Sequence, residues 1–377
     1  MKITLIGPVY PFRGGIAHYT SQLALALMSS GHACNVISFR RQYPAWLYPG
    51  SSDKDPSQSA IQVPADFLID PFYPWTWQQN GRRILEQNPD MVVLQWWTTY
   101  WTIPFTYLAR WCHRQEIPLV YIIHNVLPHE EKIWDRAMVK LALSPADGFI
   151  VQTHREEERL RSLLPQAKSE ISAHPAYTML TNQRVDKIEA RQRLGLPLER
   201  TILLFFGIVR PYKGLKYLIE ALSILKSEGL TPTLLVAGDF WEDRNLYEKQ
   251  VEASGLSGQV RLDDRYIPDE DAALMFSAAD GLVAPYVGGT QSGVAGIALG
   301  FGLPMIVTEQ IAAGLSENNP ELVEIVPAGD ARALAQAIRG LIARPPDKFG
   351  VQTDIQDGWQ RLVKSLEALH GQIKKGG

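Results

Sequence analysis

The sequence predicts an α/β protein built as two consecutive doubly wound parallel sheets, and three observations carry that reading. Short apolar runs rich in Val and Ile alternate with longer segments of helical period, the pattern of strands buried on both faces beneath crossover helices. The alternation runs through both halves of a 377-residue chain, a length suited to two domains of roughly 180 residues. Polar and glycine-rich stretches follow the apolar runs, at the strand ends where a doubly wound sheet offers its ligand-facing loops.

In the first half the apolar runs predict strands at Ile3–Gly7, Asn35–Phe39, Met91–Gln95, Leu119–His124 and Gly148–Gln152. Ile16–Ser30 has the spacing of an amphipathic helix that stops at Gly31, where a left-handed cap residue belongs. A Pro-rich excursion, Arg40–Pro74, precedes the third of these strands. Thr181–Arg200 is polar and charged and reads as the domain connector. Strands at Ile202–Phe206, Thr233–Ala237, Gly281–Ala284, Pro304–Val307 and Leu322–Val326 repeat the pattern in the second half. Asp354–Gln372 reads as an amphipathic tail helix through Trp359, Leu362, Leu366 and Leu369, placed to return to the first domain. The domains are expected at 1–180, joined by a tail helix at about 358–377, and at 190–357, facing each other across a cleft.

Hydrophobic residues at 46% and charged residues at 20% are ordinary for a globular chain and exclude a largely disordered one. The formal net charge of −3 provides no global basic field to hold a polyanion, so nucleic acid is not expected as a partner. Cys34 and Cys112 lie far apart and lack metal-ligand spacing, which suggests two reduced thiols and no zinc site. The run from Met1 is cut short by Gly7 and Pro8, and reads as a buried strand rather than a targeting segment. No uninterrupted apolar stretch reaches the roughly 18 residues a bilayer span needs; a cytoplasmic protein is expected, with peripheral contact at the inner face of the membrane left open. Eight of the ten tryptophans fall within the first 134 residues.

Chemistry should sit after the strands. Gly7–Ile16 runs from a strand through Gly14 and Gly15 into a helix start, where glycines let backbone amides approach an anion. The same run reads equally as a tight strand-to-helix turn, and it fits neither the dinucleotide fingerprint nor the Gly-Lys-Ser/Thr loop. The second domain opens alike with Gly207, Arg210, Lys213 and Gly214. A lysine at a helix N-terminus opposes the macrodipole, so Lys213 implies a compensating anion. His124 ends an apolar strand and is followed by Asn125, so it faces the cleft or is satisfied by a neighbouring carbonyl. His154 reads as the start of a helix capped by Thr153. The run from Pro285 to Pro304 is the most distinctive: a glycine-rich loop, then Thr290, Gln291 and Ser292 at a helix start whose amides form an anion-binding concavity, with side chains suited to sugar hydroxyls or phosphate.

These residues resemble the family-4 (group 1) retaining glycosyltransferases of the GT-B type, two Rossmann-like domains across a cleft. The resemblance rests on Gly14-Gly15-Ile16-Ala17-His18, His124-Asn125, Lys213-Gly214, Ala279-Asp280, Gln291-Ser292-Gly293, Phe301-Gly302-Leu303-Pro304 and Pro327-Ala328-Gly329-Asp330, in order over nearly the whole chain. A bacterial subgroup marked by the Gln-Ser-Gly loop and by Arg41-Gln42-Tyr43-Pro44 is similar, and is linked to cell-surface polysaccharide or glycolipid assembly. The resemblance implies sugar transfer from a nucleotide diphosphate to an acceptor hydroxyl with the anomeric configuration kept, metal-independent and without a cofactor. It implies that Gly14, Gly15, Gly207, Arg210, Lys213, Gln291, Ser292 and Gly293 bind the donor, that His124 contacts the transferred sugar, and that Trp96 and Trp97 stand on the acceptor side. Two departures stand out. The family's pair of glutamates, one of which holds the ribose, is replaced by Gly289 and Ile297, and the arginine usual after the first glycine is replaced by Ile208. The missing glutamates also suit a partner subunit or sensor that binds nucleotide sugar without turnover, while they oppose an epimerase. The tryptophan-rich first domain would then supply an apolar or sugar-stacking acceptor groove at a membrane surface, the plainer account being core packing and loop anchoring.

Overall fold

The computed structural model describes residues 1–44, 46, 52–128, 131–177, 180–289, 292–312, 315, 320–344 and 357–376. The chain forms two compact units, one of residues 1–56, 60–173 and 357–377, the other of residues 57–59 and 174–356.

Unit 1 is a seven-stranded, all-parallel sheet of β1 (Lys2–Ile6), β2 (Ala33–Phe39), β3 (Ala65–Ile69), β4 (Met91–Trp96), β5 (Leu119–Ile123), β6 (Gly148–Val151) and β7 (Ser169–Ile171). Its spatial order is β3-β2-β1-β4-β5-β6-β7. The central strands are buried throughout because helices cover both faces. Those helices are α1 (Gly15–Ser29), α2 (Pro74–Gln87), α3 (Thr102–Arg114), α4 (Asp135–Leu143) and α5 (His154–Leu163). Helix α1 ends as its sequence dictates: Gly31 takes φ +81°, and the Gly31 and His32 amides donate back to the Met28 and Leu27 carbonyls, a Schellman closure that glycine makes without strain. The Thr153 hydroxyl accepts from the Glu156 amide and caps α5.

Unit 2 opens with α6 (Lys187–Leu194) and carries a six-stranded parallel sheet. Its strands are β8 (Ile202–Phe206), β9 (Thr233–Ala237), β10 (Val260–Asp263), β11 (Gly281–Ala284), β12 (Met305–Thr308) and β13 (Val323–Val326), ordered β10-β9-β8-β11-β12-β13. Helices α7 (Leu215–Ser227), α8 (Arg244–Ala253), α9 (Asp269–Ala278), α10 (Gly293–Gly300) and α11 (Ala331–Ile342) cover it. The last helix, α12 (Asp357–Gly376), belongs to unit 1, as its apolar stripe predicts. Trp359 lies 5.1 Å from the Tyr19 ring of α1, and Leu369 sits so close over β6 that a Cβ on Gly148 would come within 2.9 Å of it. Positions 354–356 of the expected tail helix lie outside the described residues.

The ten expected strands are all present, and β3, β7 and β10 are additional. Each of the three is an edge strand. An edge is covered on fewer sides, so it needs no solid apolar run, and Ser169-Glu170-Ile171 and Val260-Arg261-Leu262-Asp263 carry none. The polar stretch from Thr181 is likewise more than a connector, because α6 packs on α9 through Ala190 and Arg191. Arg191 is 6% exposed. Its guanidinium donates to the Ala278 and Leu198 carbonyls and pairs with Asp280 at 2.5 Å. Asp280 also accepts from the Ile202 amide and from Lys187, so one carboxylate joins α6, the start of β8 and the turn before β11. Replacing Asp280 by Ala would leave a buried guanidinium unpaired. The expected loss is about 3 kcal/mol, read as a lower urea midpoint at unchanged m-value.

Candidate functional site

In each sheet the crossovers reverse direction once, and a doubly wound sheet opens its ligand crevice at that reversal. In unit 1 the chain runs β1, β2, β3 one way and then returns to place β4 on the other side of β1. In unit 2 it runs β8, β9, β10 and returns to place β11 beside β8. The loops after β1 and β4, and after β8 and β11, therefore border the two crevices.

Unit 2 builds its crevice from interlocked glycines. Gly207, directly after β8, has φ +94°. Gly238, directly after β9, has φ +145°, and a Cβ there would lie 2.3 Å from the Gly207 carbonyl oxygen. The Val209 amide donates to the Asp239 carbonyl and the Trp241 amide to the Val209 carbonyl, which pins the two loops together. Arg210 is thereby held with its guanidinium 5.0 Å from the Trp241 ring centroid. A short turn, Pro211–Lys213, ends at Gly214 with φ +72°. A Cβ on Gly214 would fall 2.0 Å from the Pro285 carbonyl oxygen, so the loops after β8 and β11 touch through backbone. The Val287 amide donates to the Tyr212 carbonyl at 2.7 Å across the same seam.

Lys213 is 8% exposed at the base of this turn, its Nζ 5.3 Å from the Tyr286 ring centroid. Among the described residues no carboxylate lies within ion-pair distance of it. Burial, reinforced by the Arg210 charge and opposed by Tyr212, lowers its pKa from the ordinary lysine value. Tyr286 is 4% exposed and burial pushes its phenol up to about 12, so it stays a neutral hydroxyl 3.4 Å from the Ser292 Oγ. Ser292 caps α10 by accepting from the Ala295 amide, and Gly293 opens the helix. Thr290 and Gln291 lie outside the described residues.

The glycines of α10 serve packing as well as access. A Cβ on Gly300 would lie 2.7 Å from the Tyr177 carbonyl oxygen, and one on Gly293 3.5 Å from the Tyr177 ring. His174 completes this flank. Its Nδ1 donates to the Pro175 carbonyl at 2.8 Å, its Nε2 lies 3.3 Å from the Tyr177 hydroxyl, and burial lowers its pKa to about 4, so the imidazole is neutral. The two places where the resembling family carries glutamates differ in kind. Gly289 has φ +98°, a backbone a glutamate adopts only with strain, and Ile297 packs on the core. Asp280, Gly302 with φ +60°, and Asp330, which caps α11, hold elements in place.

In unit 1, Gly14 needs its φ of +105°, whereas Gly15 is exposed, and a Cβ on either meets nothing within 4 Å. His124 is 7% exposed at the end of β5. Its Nε2 lies 2.7 Å from the Gln95 Oε1 of β4 and its Nδ1 3.4 Å from the Gln152 amide nitrogen after β6. Those amide orientations correspond to a neutral ring with the proton on Nε2. Tyr19 of α1 meets the ring edge-on at 4.7 Å. Gly7 makes room for this cluster, since a Cβ there would fall 2.7 Å from both Gln95 and Thr20. Trp96 is a core ring, 1% exposed between Phe105 and Tyr121, while the partly buried Trp97 donates its indole N–H to the Tyr43 hydroxyl at 2.8 Å. Sequence reasoning passed over Gln95 and Gln152, although a glutamine inside the apolar run Met91–Trp96 was a visible signal. His174 and Tyr177 gave none, because only folding brings them to α10.

A model of the group 1 glycosyl transferases matches residues 200–344, and a glycosyl transferase 4-like domain matches residues 14–171. The chain is 26% identical over 291 residues to D-inositol 3-phosphate glycosyltransferase 1 of Catenulispora acidiphila, covering 69% of this chain and 68% of that one. It is 27% identical over 266 residues to a putative teichuronic acid biosynthesis glycosyltransferase of Bacillus subtilis, covering 69% of this chain and 64% of that one. Among solved structures it resembles sucrose-phosphate synthase from Thermosynechococcus elongatus, with TM-score 0.69, 20% identity, and 99% and 97% of the two chains covered. It also resembles the Anabaena protein HepE in complex with UDP, with TM-score 0.67, 16% identity, and 100% and 99% covered. At these identities the structural likenesses establish the fold, two doubly wound units of GT-B type.

The lowered pKa of Lys213 fixes a sign. Below its folded-state pKa the buried ammonium opposes folding, and the penalty is relieved as pH rises through that value. Lys213→Met is therefore expected to leave the melting temperature of the free protein unchanged or raised by a few degrees. With pyrophosphate at about 100 times its Kd, the natural protein is expected to gain about 2.7 kcal/mol and the variant none. Scanning calorimetry of both proteins with and without pyrophosphate checks both halves.

Proposed function

The chain belongs to the GT-B glycosyltransferases, with a group 1 domain in its second half and a glycosyl transferase 4-like domain in its first, and on that footing we propose a retaining transfer of a sugar from a nucleoside diphosphate to an acceptor hydroxyl. The observation that carries the proposal is Lys213, a buried cation that no described carboxylate compensates, set beside the start of α10. A departing nucleoside diphosphate develops charge on its leaving oxygens, and fixed donors in a low-dielectric crevice stabilise that charge without reorganising. In unit 2, Lys213 and Arg210 neutralise the diphosphate, Gly207 lets it approach the backbone, and Gln291, Ser292 and Gly293 at the α10 start hold phosphate and sugar. This neutralisation comes from side chains and amides, so we assign a metal-independent reaction without a cofactor. In unit 1, Gly14 and Gly15 present the α1 amides. His124 contacts the transferred sugar through Nδ1, where a hydroxyl displaces the longer 3.4 Å contact to Gln152 and leaves the 2.7 Å bond to Gln95 intact. Trp97 stands on the acceptor side. The acceptor hydroxyl attacks from the face the diphosphate leaves, and a phosphate oxygen takes its proton.

The relatives' names, an inositol phosphate glycosyltransferase and a teichuronic acid one, support a place in glycolipid or cell-surface polysaccharide assembly. Free Cys34 and Cys112 suit a cytoplasmic setting. Gly289 and Ile297 favour one second reading, a protein that binds nucleotide sugar without turning it over. Purified protein incubated with labelled UDP-, GDP-, ADP- and dTDP-sugars and a membrane extract distinguishes the two. The proposal expects one donor to be consumed and a product heavier by one sugar, whose anomeric proton coupling matches that of the donor. Binding without product supports the second reading, and inverted configuration overturns retention.

A further inference from the structure

We propose that Tyr177, oriented by His174, is a positioning residue for the donor: it holds the start of α10 in place without touching the nucleotide sugar. The inference rests on the transferase reading above and names what fixes one of its binding elements. Residues 174–177 are the segment by which the chain enters unit 2, and within that unit they run along α10.

The sequence of α10 supports a helix poorly. It has eight residues, Gly293–Gly300, and Gly293, Gly296 and Gly300 are three of them. An isolated helix of this length is marginal in water even in a favourable sequence, and glycine is the weakest helix former after proline, so the order of α10 comes from what packs against it. Ala295 and Ala298 belong to the core of unit 2. The three glycines, spaced i, i+3 and i+7, line another side, and the entering segment lies against it. A Cβ on Gly296 would be 3.5 Å from the Pro175 carbonyl oxygen and 3.7 Å from the Tyr177 ring, and one on Gly293 3.5 Å from the same ring. The ring thus spans the first turn of the helix, while at Gly300 backbone meets the Tyr177 carbonyl.

His174 fixes that ring. Its Nδ1 proton is committed to the Pro175 carbonyl, which leaves Nε2 as the acceptor facing the Tyr177 hydroxyl, and the two rings meet edge to face at 5.2 Å. The same Nε2 would stand 4.0 Å from a Cβ on Gly293. A neutral acceptor suits the positive end of a helix and a cation would not, and the imidazole is neutral. The helix start seated in this way is the one whose Ser292 and Gly293 are assigned to phosphate and sugar. Amides bind an anion tightly only while they converge; a first turn that frays must be re-ordered on binding, and that cost is lost from the affinity.

The test pairs titration calorimetry with pyrophosphate and amide hydrogen exchange of the free full chain. Tyr177→Ala should weaken pyrophosphate binding roughly tenfold and speed exchange of the α10 amides by about the same factor. Tyr177→Phe, which keeps the ring and gives up the bond to His174, should fall between that variant and the natural protein. Ile338→Ala, a cavity in the separate core beneath α11, should lower the melting temperature and leave both readings as they are. Circular dichroism verifies folding, and Tyr177→Leu, which keeps most of the buried volume, carries the same expectation if Tyr177→Ala does not fold. Equal pyrophosphate affinity in the natural protein and a folded Tyr177→Ala or Tyr177→Leu variant overturns this inference alone, as does unchanged exchange in α10. Failure of the natural protein to bind pyrophosphate defeats the donor reading itself and this role with it.

Discussion

A parallel sheet that grows first to one side of its opening strand and then to the other leaves two neighbouring loops with no helix above them. In this protein that constraint acts twice, between β1 and β4 and between β8 and β11. The demand for close backbone approach at these points explains the glycines better than general flexibility does. Gly7 yields room to Gln95 and Thr20, Gly238 to the Gly207 carbonyl, and Gly214 to the Pro285 carbonyl. Once the loops are locked together by backbone, the side chains they carry have few conformations left. Lys213, Arg210 and the His124 cluster owe their positions to that locking, which is how a binding group is pre-organised without spending ligand affinity on ordering it.

Two buried cations in unit 2 show what such a position means energetically. Arg191 has three carbonyl oxygens and the Asp280 carboxylate within hydrogen-bond distance, so its burial is compensated within the protein and its role is complete without a ligand. Lys213 is as deeply buried, and it has no described carboxylate within ion-pair distance, its Nζ standing 5.3 Å from the Tyr286 ring centroid. The neutral Tyr286 phenol adds no countercharge. Both residues are basic and both are buried; the difference in their partners separates a structural clamp from a group whose compensation arrives with an anion.

The sequence disclosed the central strands because burial on both faces forces a continuous apolar run, and it disclosed α1 because Gly31 marks its end. It hid β3, β7 and β10, whose edge positions relax that demand, and it hid α6, whose amphipathicity rests on two residues, Ala190 and Arg191. Site residues followed the same division. Gly207 and Lys213 were legible because a glycine turn and a cation beside a helix start are local features. The hydrogen bonds of His124 were not, since Gln95, His124 and Gln152 come from three successive strands and meet only through sheet register.

The loop after β11 carries the least familiar chemistry, and its backbone limits how that loop can be read. If glutamate had merely been lost from a conventional loop, an L-residue conformation would be expected to persist at position 289, and the second place would remain polar and open. Gly289 instead occupies φ +98°, and the partly buried Ile297 packs against the apolar core of unit 2. Restoring both carboxylates would strain the first position and forfeit the apolar packing of the second. The loop is thus built around their absence, with a glycine turn at one place and apolar packing at the other.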